Sequence, residues 1–116
     1  MAVIDYTKTE LNGGAVLYKW EGLTEVDSGK PVQHSGSTDR TIQVGGSFGG
    51  GTVRFEGALD IETPVYLPLT DPQGNELLFG AEKIEAVSEF TSLIRPIVTA
   101  GAGVSLTCLL LVRNTM

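Results

Sequence analysis

The stretch TIQVGGSFGGGTVRFEG, Thr41 to Gly57, decides how the rest of the chain is read. Ile42 and Val44 alternate with Thr41 and Gln43, and Val53 and Phe55 alternate with Arg54 and Glu56. Each flank thus carries the two-residue period of a strand with one buried face. Between the flanks, Gly45, Gly46, Gly49, Gly50 and Gly51 bracket Ser47 and Phe48. Such a connection can use positive φ and can bring its backbone close to another segment. Two strands joined this way predict a β-hairpin, and an antiparallel pair with one polar face predicts an all-β fold.

The same signature continues on both sides. Val16, Tyr18 and Trp20 share one face of a strand over 15–20, with the aromatic face turned inward. Val104, Leu106, Cys108, Leu110 and Val112 alternate with Ser105, Thr107, Leu109 and Leu111 in the last strand. Because its second half is apolar on both faces, that strand is either central in a sheet covered on both sides or exposes a contact surface. Pro64 and Pro68 flank Val65-Tyr66-Leu67 and cannot donate to a ladder, so that segment belongs at a sheet edge. Asp71-Pro72-Gln73-Gly74 has the residue types of a type I turn. Further turns are marked by Asp27-Ser28-Gly29, Ser35-Gly36-Ser37 and Gly101-Ala102-Gly103. Ala81, Ile84, Val87 and Phe90 recur every three residues and predict one short helical segment over 81–90. About eight short strands separated by turns make an antiparallel β-sandwich or jelly roll. Residues 1–14, ending in Asn12-Gly13-Gly14, read as an N-terminal arm, and 15–116 as the β-sandwich domain.

The chain has 116 residues, which is one domain able to bury a core without staples. Its formal net charge of -6 argues against nucleic acid and anionic membrane, both of which are bound through Lys and Arg. A single cysteine, Cys108, excludes an internal disulfide. The amino terminus has no signal-peptide pattern, and the longest apolar run, Cys108 to Val112, is far too short to span a bilayer. A soluble protein is expected.

No motif carries catalytic chemistry. Gly45-Gly46-Ser47-Phe48-Gly49 matches the G-x-S-x-G elbow in letters, but more glycines and a strand follow where a helix is needed, and His34 precedes the serine. No Lys-Ser/Thr pair follows the glycines, so a phosphate cradle is not indicated. His34 lacks companion ligands for zinc. Cys108 sits among apolar neighbours as a small hydrophobe. Asp60, Glu62 and Asp71 have no calcium-ligand spacing. Tyr18 and Trp20 read as core rather than as a sugar platform. No catalytic residue, cofactor or metal is therefore assigned.

Four segments carry a resemblance: WEGLTEVDSGKPV (Trp20 to Val32), DRTIQVGGSFGGGTVRFEG (Asp39 to Gly57), LTDPQGNELLF (Leu69 to Phe79) and LIRPIVTAGAGVSLTCLLLVR (Leu93 to Arg113). Together they resemble small structural proteins of tailed-bacteriophage virions, among them the capsid cement, or decoration, proteins. The resemblance implies a jelly roll or sandwich made in the host bacterial cytoplasm. It implies binding to the major capsid protein on the outer surface of the assembled head, which the bound protein stabilises. A head-tail connector or tail component, and a carbohydrate- or receptor-binding module, are the alternatives. Val3, Ile4 and Tyr6 on the arm, Phe48 on the glycine connection, and Leu109 and Leu111 on the last strand are the expected protein contacts. The apolar outer face of that strand predicts a homodimer.

Overall fold

A computed structural model describes residues 2–33 and 38–114. They form β1 (Val3–Ile4), β2 (Tyr6–Glu10), β3 (Ala15–Leu23), β4 (Ser28–Gly29), β5 (Val32–Gln33), β6 (Thr38–Ser47), β7 (Val53–Ala58), β8 (Leu67–Pro68), β9 (Leu78–Phe79), β10 (Lys83–Ala86), β11 (Leu93–Val98) and β12 (Ser105–Asn114), with one 3-10 turn at Asn12–Gly14. Five of the twelve strands have only two residues. The strands lie in two sheets, one of seven along the path β1-β4-β11-β7-β8 with β5 and β9 attached, and one of five in the order β10-β6-β12-β3-β2.

The inward faces of the two sheets share one core. Tyr18, Trp20, Ile42, Val44, Leu106, Cys108, Leu110 and Val112 come from the five-stranded sheet, and Val32, Val53, Phe55, Ile94 and Val98 from the other. Trp20 bridges the layers: its ring meets that of Phe55 edge to face at 6.3 Å, and its indole N–H donates to the Lys30 carbonyl at 3.1 Å. The alternation in β3 is broken once, where Cys108 faces Trp20 but Leu106 faces Leu23. The extra residue is absorbed at Gly22, whose φ of 73° suits only glycine. Its effect is to turn Leu23 into the core.

The alternating flanks of the glycine cluster are strands, but they do not pair as a hairpin. β6 pairs with β12 and β10, and β7 with β11, β8 and β9. The connection at 48–52 therefore crosses from one sheet to the other. Beside it runs a second crossing, from β11 to β12 through Gly101-Ala102-Gly103. The two are laced by hydrogen bonds from the Ala102 amide to the Gly49 carbonyl at 3.1 Å and from the Thr99 amide to the Thr52 carbonyl at 2.9 Å. A Cβ on Gly51 would lie 1.9 Å from the Ala100 carbonyl oxygen, so the glycines are there to let two backbones touch. Alternation reports which face of a strand is buried; it does not name the partner.

The helix expected over 81–90 is not formed. Lys83–Ala86 is an edge strand paired residue by residue with Val44 back to Thr41. A helix of that length is marginal in water, whereas the ladder with β6 satisfies the same backbone groups against a formed sheet. Residues 3–10, expected as an arm, run as strands in both layers: β1 pairs in parallel with β4, and β2 antiparallel with β3. The Asp71 turn forms as its residues predict, with the Gly74 amide donating to the Asp71 carbonyl at 2.9 Å and the Asp71 carboxylate accepting from the amides of Gln73 and Asn75.

Candidate functional site

Beyond Ala58 the chain leaves β7, turns, and returns as β8 at the edge of the seven-stranded sheet. The turn is tied locally: Asp60 accepts from the amides of Glu62 and Thr63 and from the Thr63 hydroxyl, an Asx arrangement. Pro64 and Pro68 fix φ on either side of the returning residues. With the backbone held this way, Leu59, Val65 and Leu67 stand out from the edge, exposed by 71%, 72% and 65%.

A second wall faces them across the groove. Phe90 is half exposed and stacks with the buried Arg40, whose guanidinium lies 4.8 Å from the ring centre. The adjacent Glu89 carboxylate accepts the Thr70 amide at 2.7 Å and the Thr70 hydroxyl. The groove between has a volume of about 440 Å3 and is lined by Leu59, Val65, Leu67, Leu69, Glu89 and Phe90 among others. A shallower hollow, sharing Leu59, Val65 and Leu67, opens beside Asp60 and Thr63.

The charged side chains that line this rim have one sign. Neither hollow is lined by Lys or Arg, and the ionisable groups on their walls are Glu89 and Asp60. Hydrogen bonding to the Glu62 amide, with the Thr63 bonds added, holds the Asp60 carboxyl below its ordinary value. Burial raises the Glu89 carboxyl, but the two Thr70 bonds and Glu89's own amide together outweigh it and hold that group low as well. Both are ionised at neutral pH.

A separate apolar strip lies on the outer face of the five-stranded sheet. Registers place Lys19, Leu109, Gln43 and Ile84 in one row and Leu17, Leu111, Thr41 and Ala86 in the next. Leu17, Leu109, Leu111 and Ile84 line a groove of about 320 Å3. The charges near it pair among themselves, as Lys19–Glu21 at 3.7 Å, Lys83–Glu85 at 3.6 Å and Arg113–Asp39 at 3.6 Å. On the other sheet, buried Glu56 is held by Arg54 and by Arg95 at 3.1 Å, and the Arg95 guanidinium lies 3.7 Å from the Tyr66 ring centre. Glu76, 3.9 Å from Arg54, supplies the second carboxylate, so the two arginines and two glutamates balance.

The expected contact residues separate into three groups. Leu109 and Leu111 lie together on the outer strip, half-buried. Ile4, Tyr6 and Phe48 pack against the core; the Tyr6 ring meets Tyr18 at 5.2 Å and Trp20 at 5.9 Å. Val3 remains 63% exposed. The rim residues Leu59, Val65, Leu67 and Phe90 were not among the expected contacts. For Val65 and Leu67 a signal was present, as apolar side chains two apart between Pro64 and Pro68, but it also fits an ordinary edge strand.

Of the residues weighed for chemistry, Ser47 ends β6 opposite Ser105, and a turn and a strand follow it. His34 lies outside the described residues. Burial pushes the Cys108 thiol up to about 12, so it stays protonated. Trp20 and Tyr18 are core. Asp60 and Asp71 hold their own turns, Glu62 gives its amide to Asp60, and among the described residues no three His, Cys, Asp or Glu side chains converge as a metal site. No helix among the described residues is long and apolar enough to cross a membrane. No protein-family model, curated protein or solved structure matches the chain.

Proposed function

We propose that this protein is a structural subunit that docks on the outside of an assembled protein shell, a capsid cement protein of a tailed-phage head. The rim groove carries the reading: Leu59, Val65 and Leu67 are held out in water on a backbone tied by an Asx turn and two prolines, and half-exposed Phe90 faces them from the opposite wall. Rigidly exposed apolar groups clustered beside an edge are a contact surface rather than incidental exposure. The resemblance of the strand and turn segments to virion proteins supplies the partner, the major capsid protein, and a jelly-roll wiring of the two layers belongs to the same reading. Acidic net charge keeps DNA off this surface. A ligand that binds only the assembled state stabilises it by mass action, so many modest contacts suffice. A two-fold dimer over the Leu109 and Leu111 strip would present two such rims to the shell.

The experiment is electron microscopy of purified particles together with a count of copies per head. Density on the outer head surface at stoichiometric occupancy, lost with the double substitution Leu59→Ser, Val65→Asp, is expected. Protein found only at the tail, or absent from particles, overturns the reading.

A further inference from the structure

We infer that the rim groove takes an extended protein segment in which an apolar anchor side chain is flanked by lysine or arginine. The inference rests on the docking reading above and names the partner chemistry of the same groove. Shape and hydrophobicity come first: the opening of about 440 Å3 is walled by Leu59, Val65, Leu67, Leu69 and Phe90, and it is large enough for one or two aliphatic or aromatic side chains. Side chains do the binding, because strand addition is blocked: Pro68 on the edge strand has no N–H to offer an incoming backbone.

Charge then selects the partner. Glu89 and Asp60 stand on the groove walls, Glu62 follows Asp60 on the same turn, and no basic residue lines either hollow. Arg40, beneath Phe90, is only 4% exposed and lines neither hollow; its charge offsets one of these three carboxylates and leaves the rim net negative. A segment entering the groove therefore places its flanks against carboxylates, where Lys and Arg are favoured and Asp and Glu repelled. The same argument disfavours a second copy of this chain as occupant, since an acidic rim brought to an acidic surface meets like charge.

The test uses a random peptide library selected on the intact protein, with the Val65→Asp variant for counter-selection. Val65 is 72% exposed, so its replacement leaves the fold in place. Expected are peptides with a Leu, Ile, Phe or Met anchor and Lys or Arg within two positions of it. Their affinity falls about tenfold or more on Val65→Asp, several-fold on Glu89→Gln, and further as salt is raised from about 0.05 M to about 0.5 M. Amide resonances of residues 59–67 and 89–91 should shift on binding. The inference is overturned by failure to enrich peptides over Val65→Asp, by enriched peptides without basic flanks, or by self-association that Val65→Asp abolishes. Peptide binding is read without any particle, so loss of groove specificity and absence from heads are separate results.

Discussion

Replacing Gly51 by alanine drives a methyl group into the backbone of the neighbouring sheet crossing. The added Cβ would lie 1.9 Å from the Ala100 carbonyl oxygen, 2.6 Å from its carbon and 2.9 Å from the Gly101 Cα. None of these atoms is a flexible side-chain end, so the two crossings must part by about an ångström to restore ordinary contact. Parting them strains the Ala102 to Gly49 and Thr99 to Thr52 hydrogen bonds that lace the sheets at this end. Gly51 does not use positive φ, so the whole effect is steric and belongs at the upper end of overpacking, about 3 kcal/mol. Gly50 is the internal control: it has φ 73° and open space around its missing Cβ, so alanine there costs only the left-handed backbone, about 1 kcal/mol. For a domain of this size the melting temperatures should fall by about 12 °C and about 4 °C respectively. Thermal unfolding followed by circular dichroism and by the fluorescence of Trp20 reads both. If Gly51→Ala loses no more than Gly50→Ala, backbone contact between the crossings is not why the cluster is glycine.

Other outcomes follow from single contacts. Val26 holds a φ of 55° in the turn before β4; a β-branched residue is strained there, so Val26→Gly should raise stability by about 0.5–1 kcal/mol in urea unfolding, and a loss would refute the strain. Buried Asp27 accepts from the Thr24 amide and hydroxyl and from the Ala2 amide; the Thr24 bond foremost lowers its pKa from the ordinary 3.8. Its folded pKa is below its unfolded one, so the stabilisation is present above about pH 4 and fades as pH falls through the folded value. Asp27→Asn should flatten that acid limb, and an unchanged acid profile would remove Asp27 as its source. Tyr6→Ala removes the edge-to-face contacts with Tyr18 and Trp20 and should cost about 2 kcal/mol; a neutral result would return residues 3–10 to the status of a dispensable arm. Leu109→Glu should leave the fold intact and abolish a dimer in sedimentation at micromolar concentration; a wild-type monomer there would remove that interface.

Core residues were legible because burial writes a period into the sequence. Ile42, Val44, Val53, Phe55 and the inward set of β12 are each buried where alternation places them. Strand partners were not, since the glycine connection at 48–52 has the composition of a hairpin turn and of a sheet crossing alike. Only the matching glycines at 101–103 betray the second role, and they lie across the fold rather than nearby in the chain. The 81–90 error has a related cause: only Ile84 of the four recurring apolar residues lies in the edge strand Lys83–Ala86, and the others fall in the flanking segments, so the three-residue recurrence arises without any helix. At the rim the difficulty is sharper. An exposed apolar side chain and a buried one carry the same letter, and nothing in Leu59, Val65 and Leu67 records that no second layer covers them.

The N-terminal strands redirect the assembly argument as well. An arm free to order on a partner would bring Val3, Ile4 and Tyr6 as anchors, each fixed residue costing about 1–2 kcal/mol of backbone entropy on docking. Here that cost is already met within the fold: the Lys30 amide donates to the Ile4 carbonyl at 2.7 Å, the Ser28 amide to the Ala2 carbonyl at 3.0 Å, and Ile4 and Tyr6 lie against the core. Contacts left for a partner are those already ordered and still exposed; Val3 is one, and the larger clusters are the rim groove and the outer strip. Preordered side chains bind without a folding penalty, so a rim of four or five apolar groups can serve where a longer disordered tail would be required.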